Sequence, residues 1–442
     1  MNYKPSAPLT PGEVQSCITA KMTVSILLPL AGDDPQAAEI QRESVSKMQS
    51  IGTKALCATA ALLWGAGIVA IVQAQPVPPT PGGIPQAEVS DVAVMPPATP
   101  RWFYVMGAIG PPSQAARIID GDSGKMKGLI EAPPQANVAL DPKGRYYYVA
   151  ETIWTKVNRG TRQDEVSIYD VDHLKLVAEI PIPGRLLGGN NQTNFVISTN
   201  GQLAFVYTLA PSSSIQVVDL EKGALQQTVQ IPGCAALFPS GPGGVSALCA
   251  DGSMATVSFS SPTASVSKSG PFFSATEDPV FDTVGVDRVK GVATFLSHNG
   301  KVYTATLGQT PHLSEPWSIH RAAGMQEPMP PPNVNWLPGG RQPFATNRIN
   351  GRIYILMHTG EQFSHDEAGD EIWVLDGENH KLIGRHRAPG KFNNIQVSQE
   401  ANPLVYVTGS DNKVFILDGE TFETKHSLDR GGSGTIFVPD QS

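Results

Sequence analysis

The stretch EIWVLDGENHKLIG, residues 371–384, contains the pattern that decides the fold of this chain. An apolar run ends at Asp376, a polar turn with Gly follows, and an amphipathic segment comes after the turn. Apolar alternation with a period of two is typical of β-strands, and an aspartate can accept hydrogen bonds from the backbone N–H groups of a turn. The stretch therefore predicts two strands joined by a turn that begins at Asp376.

The same pattern occurs five times along the chain. Aligned on the aspartate, the copies lie at Asp120, Asp170, Asp219, Asp376 and Asp418. Upstream of most copies, a turn with Gly or Asn precedes an aromatic or β-branched run, as in NGRIYILM at 350–357. Each unit therefore contains at least three strands and has room for a fourth.

The spacing of the copies predicts how many units there are. Neighbouring aspartates are 50, 49 and 42 residues apart, and 157 residues separate Asp219 from Asp376. Two degenerate units fit in that gap, and HNGKVYTATL at 298–307 has the character of a strand from one of them. Four-stranded units repeating about every 40–50 residues are typical of β-propellers.

We therefore predict an all-β fold, a seven-bladed β-propeller of four-stranded antiparallel blades that occupies residues 101–442. We expect the last strand, in GGSGTIFVPD, to pair with the region of Trp102 and close the ring. The alternative is two unrelated β domains, which the continuing period disfavours.

Composition argues against a nucleic-acid-binding protein. The chain has 40 acidic and 32 basic side chains, a net charge of −8, and no visible basic stripe of the kind that contacts phosphates. Its 43 glycines and 38 prolines favour many turns over long helices.

The N-terminal region reads as an export signal. Lys54 precedes the apolar run 55–72, small residues follow up to Ala74, and the chain then becomes Pro-rich. We interpret 1–74 as an upstream extension plus a signal peptide cleaved after Ala74, and 75–100 as a linker. An uncleaved membrane anchor is the alternative.

Because 47 residues precede Met48, we hypothesise that translation starts at Met48. A peptide from residues 1–47 in the intact precursor would contradict this hypothesis.

Two cysteines, Cys234 and Cys249, would remain in the exported chain. An even pair in an exported protein suggests a disulfide, here across a Pro- and Gly-containing hairpin. A disulfide that closes a loop of about 15 residues stabilises the folded state by roughly 3 kcal/mol in the chain-entropy model. The alternatives are two free thiols or, with less support, a metal site.

The sequence contains no local catalytic motif such as CxxC, HExxH or GxSxG. His358 and His365 flank an acidic loop, TGEQFSHDEAGD, which suggests either a metal cluster or a solvated rim loop. We favour the solvated loop and predict no metal site.

Two irregular segments stand out. The insertion ETIWTKVNRGTRQDEVSIYD at 151–170 places Trp154 among Arg159, Arg162 and a lysine, and such residues often anchor protein contacts. The alternative is a rim loop whose Trp packs on its own blade. The second segment, 315–340, is rich in Pro and Met, and we expect no regular strand in it.

These elements together resemble the heavy subunit of the quinoprotein amine dehydrogenases, the methylamine and aromatic amine dehydrogenases. The resemblance rests on the insertion with its R-G-x-R-x-D pattern, on the cysteine pair before DGS, and on EPWS, NWLPGG, GRIYILMH and EIWVLD. It covers nearly the whole exported chain and is somewhat nearer the aromatic amine branch. The TNRI at 346–349 departs from the HRA more usual in the family.

The resemblance implies a propeller subunit that carries no catalytic residue and no cofactor. In this family a small, cysteine-rich light subunit holds tryptophan tryptophylquinone, and two heavy and two light chains assemble in the periplasm. The complex oxidises primary amines to aldehyde and ammonia and passes electrons to a blue copper protein or a cytochrome c.

For individual residues, the resemblance implies positions at the light subunit. An aromatic residue of the insertion lines the access of the amine to the quinone, and Trp154 stands at that place. Arg159 and Arg162 would hold the insertion or contact the partner, and Cys234 and Cys249 would join the two strands of a hairpin.

The alternative function, from another class, is a free-standing periplasmic propeller that binds a ligand or a protein without redox chemistry. It stays open because propellers host many functions. A propeller hydrolase lacks any visible nucleophile or metal-ligand set.

Overall fold

The computed structural model describes residues 94–108, 114–133, 135–157, 159–188, 191–259, 263–326 and 335–439. The predicted extension, the signal peptide and most of the Pro-rich linker lie outside these ranges. Within them, seven small antiparallel sheets form a seven-bladed β-propeller, which confirms the predicted fold class.

Blades 1 to 3 are built from strands that follow one another along the chain. In blade 1 these are β1 (Trp102–Ala108), β2 (Gln114–Asp120) and β3 (Lys125–Ala132). In blade 2 they are β4 (Asn137–Leu140), β5 (Tyr146–Trp154), β6 (Arg162–Asp170) and β7 (Leu176–Ile182). In blade 3 they are β8 (Phe195–Ile197), β9 (Leu203–Thr208), β10 (Ser214–Asp219) and β11 (Ala224–Gln230).

Blades 4 and 5 fill the gap in which no aspartate copy is recognisable. Blade 4 contains β12 (Cys234–Ser240), β13 (Gly244–Cys249), β14 (Met254–Ser258) and β15 (Ser265–Lys268). Blade 5 contains β16 (Gly285–Asp287), β17 (Val292–Leu296), β18 (Lys301–Thr306), β19 (His312–Leu313) and β20 (Trp317–Ser318). The two degenerate units predicted for the gap are therefore present, and the predicted strand at 298–307 is β18.

Blades 6 and 7 complete the propeller. Blade 6 contains β21 (Asn335–Pro338), β22 (Phe344–Thr346), β23 (Arg352–Gly360), β24 (Gly369–Asp376) and β25 (Lys381–Phe392). Blade 7 contains β26 (Asn394–Val397), β27 (Leu404–Thr408), β28 (Val414–Asp418) and β29 (Thr424–Leu428). The last strand, β30 (Ile436–Phe437), belongs to blade 1.

Two blades depart from the four-stranded plan. In blade 5 the short strands β19 and β20 both pair with β18, and in blade 6 both β21 and β22 pair with β23. The expectation of an irregular segment at 315–340 is wrong at both of its ends, because Trp317 lies in β20 and Trp336 in β21. A one-turn helix α1 (Ile319–Ala322) lies between them, and residues 327–334 fall outside the described ranges.

Ring closure occurs as predicted. The C-terminal strand pairs with the first strand, with Tyr104 opposite Phe437 and Val105 opposite Ile436. Gln342 of blade 6 holds the same strand from the side: its Nε2 donates to the Ile436 carbonyl at 3.0 Å and its Oε1 accepts the Ile436 N–H at 2.9 Å. Blade 1 therefore consists of strands from both ends of the propeller sequence.

The apolar core is divided into seven clusters, each between two neighbouring blades. One cluster joins Ile118 of blade 1 to Val149 of blade 2, and another joins Tyr406 of blade 7 to Phe103 of blade 1. The remaining clusters join the other five pairs of neighbours in the same way. Each sheet therefore has both faces covered by its neighbours, which a single small sheet cannot achieve alone.

The five predicted aspartate turns form as expected. At each of them the carboxylate accepts a backbone N–H two or three residues further along, as for Glu378 and Asn379 on Asp376 at 2.9 Å. The N–H groups of Thr421 and Glu420 hold the pKa of Asp418 down at about 2. Ionised aspartate is thus the form that these turns require.

The antiparallel order sorts the connections to two ends of the propeller. The aspartate turns join third to fourth strands and lie at one end, here called the Asp-turn end. Turns between second and third strands and the connections between blades lie at the other end, here called the mouth end. The predicted disulfide, Cys234–Cys249, is present and joins the facing ends of β12 and β13 at the mouth end.

We expect Gln342→Ala to weaken ring closure. The substitution leaves the Ile436 N–H without its acceptor, and the lost hydrogen bonds should cost about 2 kcal/mol of unfolding free energy. Hydrogen exchange at the Ile436 amide should accelerate together with the fall in stability. Gln202→Ala, at an exposed turn, is the matched control and should change neither quantity. Unchanged exchange at Ile436 in Gln342→Ala would contradict this role.

Candidate functional site

At the mouth end, the propeller axis opens into a cavity of about 680 Å³, here called the vestibule. Its wall is formed by connections between blades and by turns. It includes Asn191, Asp282, His298, Arg341, His365 and Asn394. A second cavity of about 200 Å³, lined by inner strands, shares Gln192, Thr283 and Gln342 with the vestibule, so the two adjoin along the axis.

The predicted insertion is not a loop but an extended hairpin of blade 2. Strands β5 and β6 pair over nine residues each, from Tyr146–Asp170 at the base to Trp154–Arg162 at the tip. The turn proper covers only 155–161, where Lys156 N–H donates to the Arg159 carbonyl at 3.0 Å. The expectation of an irregular insertion at 151–170 is therefore wrong, because period-two pairing continues through most of the segment.

The structure brings two of the three predicted interface residues together. Trp154 and Arg162 are cross-strand partners, and the guanidinium carbon of Arg162 lies 6.0 Å from the centre of the Trp154 ring. Arg162 also pairs with Asp164 at 2.8 Å and donates to the Arg185 carbonyl at 2.9 Å. Arg159 is exposed in the turn and does not join this group. Trp154 is half-buried, and the Arg162 guanidinium lies over one face of its ring.

A buried arginine that sequence reasoning missed fixes this hairpin near its tip, at Thr152. Arg185, only 4% exposed, donates to Thr152 Oγ1 at 2.9 Å and to Asn137 Oδ1 at 2.8 Å. Burial lowers the pKa of Arg185 to about 10, while nearby Asp164 opposes that shift. Arg185 follows the fourth strand of its blade in an otherwise ordinary PIPGR segment, and nothing in one sequence marks its contacts.

The same polar path continues to the vestibule. Asn137 Nδ2 donates to the Asn191 carbonyl at 3.1 Å, and the Asn191 side chain donates in turn to the carboxylate of Asp282. Asn191 and Asp282 both line the vestibule. Hydrogen bonds therefore connect the hairpin that carries Trp154 to the wall of the central opening.

Two buried glutamates face each other in the middle of the hairpin. Glu151 and Glu165 are direct cross-strand partners, 5% and 0% exposed. Ser167 donates to Glu151, Gln163 donates to Glu165 at 2.6 Å, and Glu165 Oε1 has no partner among the described residues. Burial raises the pKa of both carboxyl groups, and the charge of Glu165 raises that of Glu151 further. A like-charged pair in this position destabilises the hairpin when both groups are ionised.

The histidines of the predicted acidic loop separate in the structure. His358 is buried in β23 and contacts Ser364, whereas His365 lies in the following turn and stacks on His298 of blade 5 with ring centres 3.9 Å apart. Burial, with His365 as a secondary cause, lowers the pKa of His298 to about 4. Over the described ranges, no three His, Cys, Asp or Glu side chains are grouped so as to hold a metal ion. No helix in that part of the chain is long and apolar enough to span a membrane.

Comparison with protein families gives one match that spans most of the propeller. Residues 111–439 match the family described as methylamine dehydrogenase heavy chain (MADH). The methylamine dehydrogenase heavy chain of Methylobacillus flagellatus is 26% identical over 318 residues, covering 71% of this chain and 78% of that protein. The heavy chain of Paracoccus versutus is also 26% identical, covering 73% and 74%.

Among solved structures, the chain is similar to a protein provisionally named a 6-phosphogluconolactonase from Bacteroides uniformis. The TM-score is 0.53 at 12% sequence identity, with 77% of this chain and 99% of that chain covered. At this identity the likeness supports the propeller fold alone.

We expect Glu165→Gln to stabilise the chain in a pH-dependent way. A folded-state pKa above the unfolded value means that stability is lost as pH rises through the unfolded pKa toward the folded one. Removing one charge of the pair should therefore raise the unfolding free energy by about 1 kcal/mol near pH 7 and by little near pH 4. Urea unfolding at both pH values measures this, with exposed Glu221→Gln as the control. An equal effect at the two pH values would refute the repulsion between the two carboxylates.

Proposed function

Because this chain belongs to the methylamine dehydrogenase heavy chain family, we propose that it is the non-catalytic heavy subunit of an exported amine dehydrogenase. Its partner is a small, cysteine-rich light subunit, and two copies of each chain form the complex in the periplasm. The light subunit carries tryptophan tryptophylquinone, which oxidises a primary amine to aldehyde and ammonia and delivers electrons to a blue copper protein or a cytochrome c. The present chain holds and shields that centre.

The observation that supports a partner most directly is the position of exposed apolar residues at the mouth end. Ile153 and Val157 on the β5–β6 hairpin are 43% and 85% exposed, and Leu209 and Phe363 on other second-to-third-strand turns are 56% and 58% exposed. The Asp-turn end exposes fewer large apolar side chains in its turns, Val289 and Ile349. Exposed apolar side chains favour burial against another protein. A light subunit seated on this end would cover them.

The β5–β6 hairpin is suited to shape access to such a partner. Arg185 fixes it at Thr152, two residues before Trp154, whereas the turn with Val157 and Arg159 is exposed. Trp154 stands between the fixed and the exposed parts, and Arg162 holds one side of its ring. A ring in that place limits the size of the amine that reaches the light subunit. The exposed Arg159 is available for an ion pair with a carboxylate of the light subunit.

Co-expression tests the proposal. We expect this chain to purify together with a small, cysteine-rich exported protein encoded beside it, and the complex to show a visible quinone absorbance and amine-dependent dye reduction. This chain purified alone is the control and should turn over no amine. Amine oxidation by the isolated chain, or the lack of any such companion gene in its genome, would refute the assignment.

We expect Trp154→Ala to change the substrate preference of the complex more than its stability. Removing the ring widens the access path, so the ratio of kcat/KM for an aromatic amine to that for methylamine should rise by about tenfold, with the melting temperature nearly unchanged. Trp317→Ala is the matched control, because Trp317 is also half-buried and stacked, 4.6 Å from His380. An unchanged ratio in Trp154→Ala would remove Trp154 from the access path.

A further inference from the structure

We propose that the vestibule is a binding site for small organic ammonium ions, which its carboxylates and aromatic wall hold within this chain alone. The site goes beyond the proposed function and does not depend on it, because every group that recognises the ligand belongs to this chain. Three features of the wall lead to this ligand class.

The first feature is an aromatic wall. Phe281 lies 4.5 Å from the ring of His298, and His298 stacks on His365 at 3.9 Å, so three rings from blades 5 and 6 form one continuous surface. Burial keeps His298 uncharged over the neutral range. The face of Phe281 can attract a cation, and the three rings together provide apolar contact for a hydrocarbon group.

The second feature is the charge of the wall. Asp282 and Asp366 contribute carboxylates to the lining, and Arg341 is the single arginine or lysine among the described lining residues. Asp282 is accessible in the vestibule but surrounded by protein, and this desolvation raises its pKa. A cation placed beside such a carboxylate restores part of the lost solvation.

The third feature is a buried acceptor without a donor. Asn394 lines the vestibule and is 1% exposed, and its Nδ2 donates to Thr408 Oγ1 at 2.9 Å and to the Ser433 carbonyl at 3.0 Å. Because a carbonyl can only accept, this pair fixes the orientation of the amide and leaves Asn394 Oδ1 as an acceptor with no partner among the described residues. An orphan acceptor calls for a ligand that donates hydrogen bonds, and an ammonium group offers up to three donors.

Cations with an aromatic or alkyl group fit these features best. The ammonium group meets Asp282 and Asp366, and the hydrocarbon part lies on the Phe281–His298–His365 surface. A neutral ligand of the same shape would leave the carboxylates uncompensated. A zwitterionic amino acid would bring its own carboxylate next to them.

Calorimetric titration of the purified full chain at neutral pH tests this site with 2-phenylethylammonium as the probe. We expect saturable binding that is about tenfold tighter than for 2-phenylethanol, which has the same shape without the charge. Phenylalanine should bind more weakly than the ammonium probe. Absence of saturable binding, equal affinity for the alcohol, or tighter binding of phenylalanine would each overturn the proposal.

Variants locate the site. Asp282→Asn and Asp366→Asn should each weaken binding of the ammonium probe by about three- to tenfold and leave binding of the alcohol unchanged. The exposed Asp366 makes the second variant safe for folding. Glu378→Gln, at an exposed position of the Asp-turn end, is the control and should bind as the natural chain does. Unaltered affinity in both aspartate variants would place the binding elsewhere and refute the assignment.

Discussion

The structure depends on the covering of both faces of every blade by its neighbours. Seven apolar clusters lie between seven pairs of blades, and the cluster between blade 7 and blade 1 includes Ile436 of β30, the strand that returns to pair with β1. A ring with an unclosed seam would leave one such interface to water, and it would expose the edge of β1. The few hydrogen bonds at Ile436, including those from Gln192 and Gln342, therefore support an arrangement much larger than the strand they hold.

Ring closure also determines which end of the propeller offers a surface for binding. The antiparallel order places the aspartate turns at one end, where short tight connections leave little room for variation. Longer connections and blade-to-blade crossings gather at the mouth end, around the vestibule. The extended hairpin of blade 2, the disulfide and the exposed Leu209 and Phe363 lie at the mouth end, although they are far apart in the sequence. A function that rests on this end alone is consistent with a rigid scaffold that presents one working surface.

The proposed heavy-subunit role and the proposed ammonium site concern neighbouring parts of that surface. Arg185, Asn137 and Asn191 connect the hairpin of Trp154 to Asp282 in the vestibule by direct hydrogen bonds. The buried Glu151–Glu165 pair shows that this hairpin is not optimised for stability. Such costs are expected near functional surfaces, where a specific arrangement matters more than the free energy of unfolding.

The sequence by itself determined the repeat, and with it the fold. Period-two alternation and an aspartate at each turn are local properties of a strand and its turn, so the blade count, the closing strand and the Cys234–Cys249 pairing were all predictable. The tertiary structure alone decided what meets around the axis. Arg185 and the orphan oxygen of Asn394 acquire their roles from residues 48 and 39 positions away, respectively. The polar residues of 151–170 favour an irregular insertion, whereas the structure shows continuous pairing of β5 with β6 there. Contacts between blades depend on how the sheets stack in space. The spacing of residues along the sequence carries no information about which side chains of different blades meet.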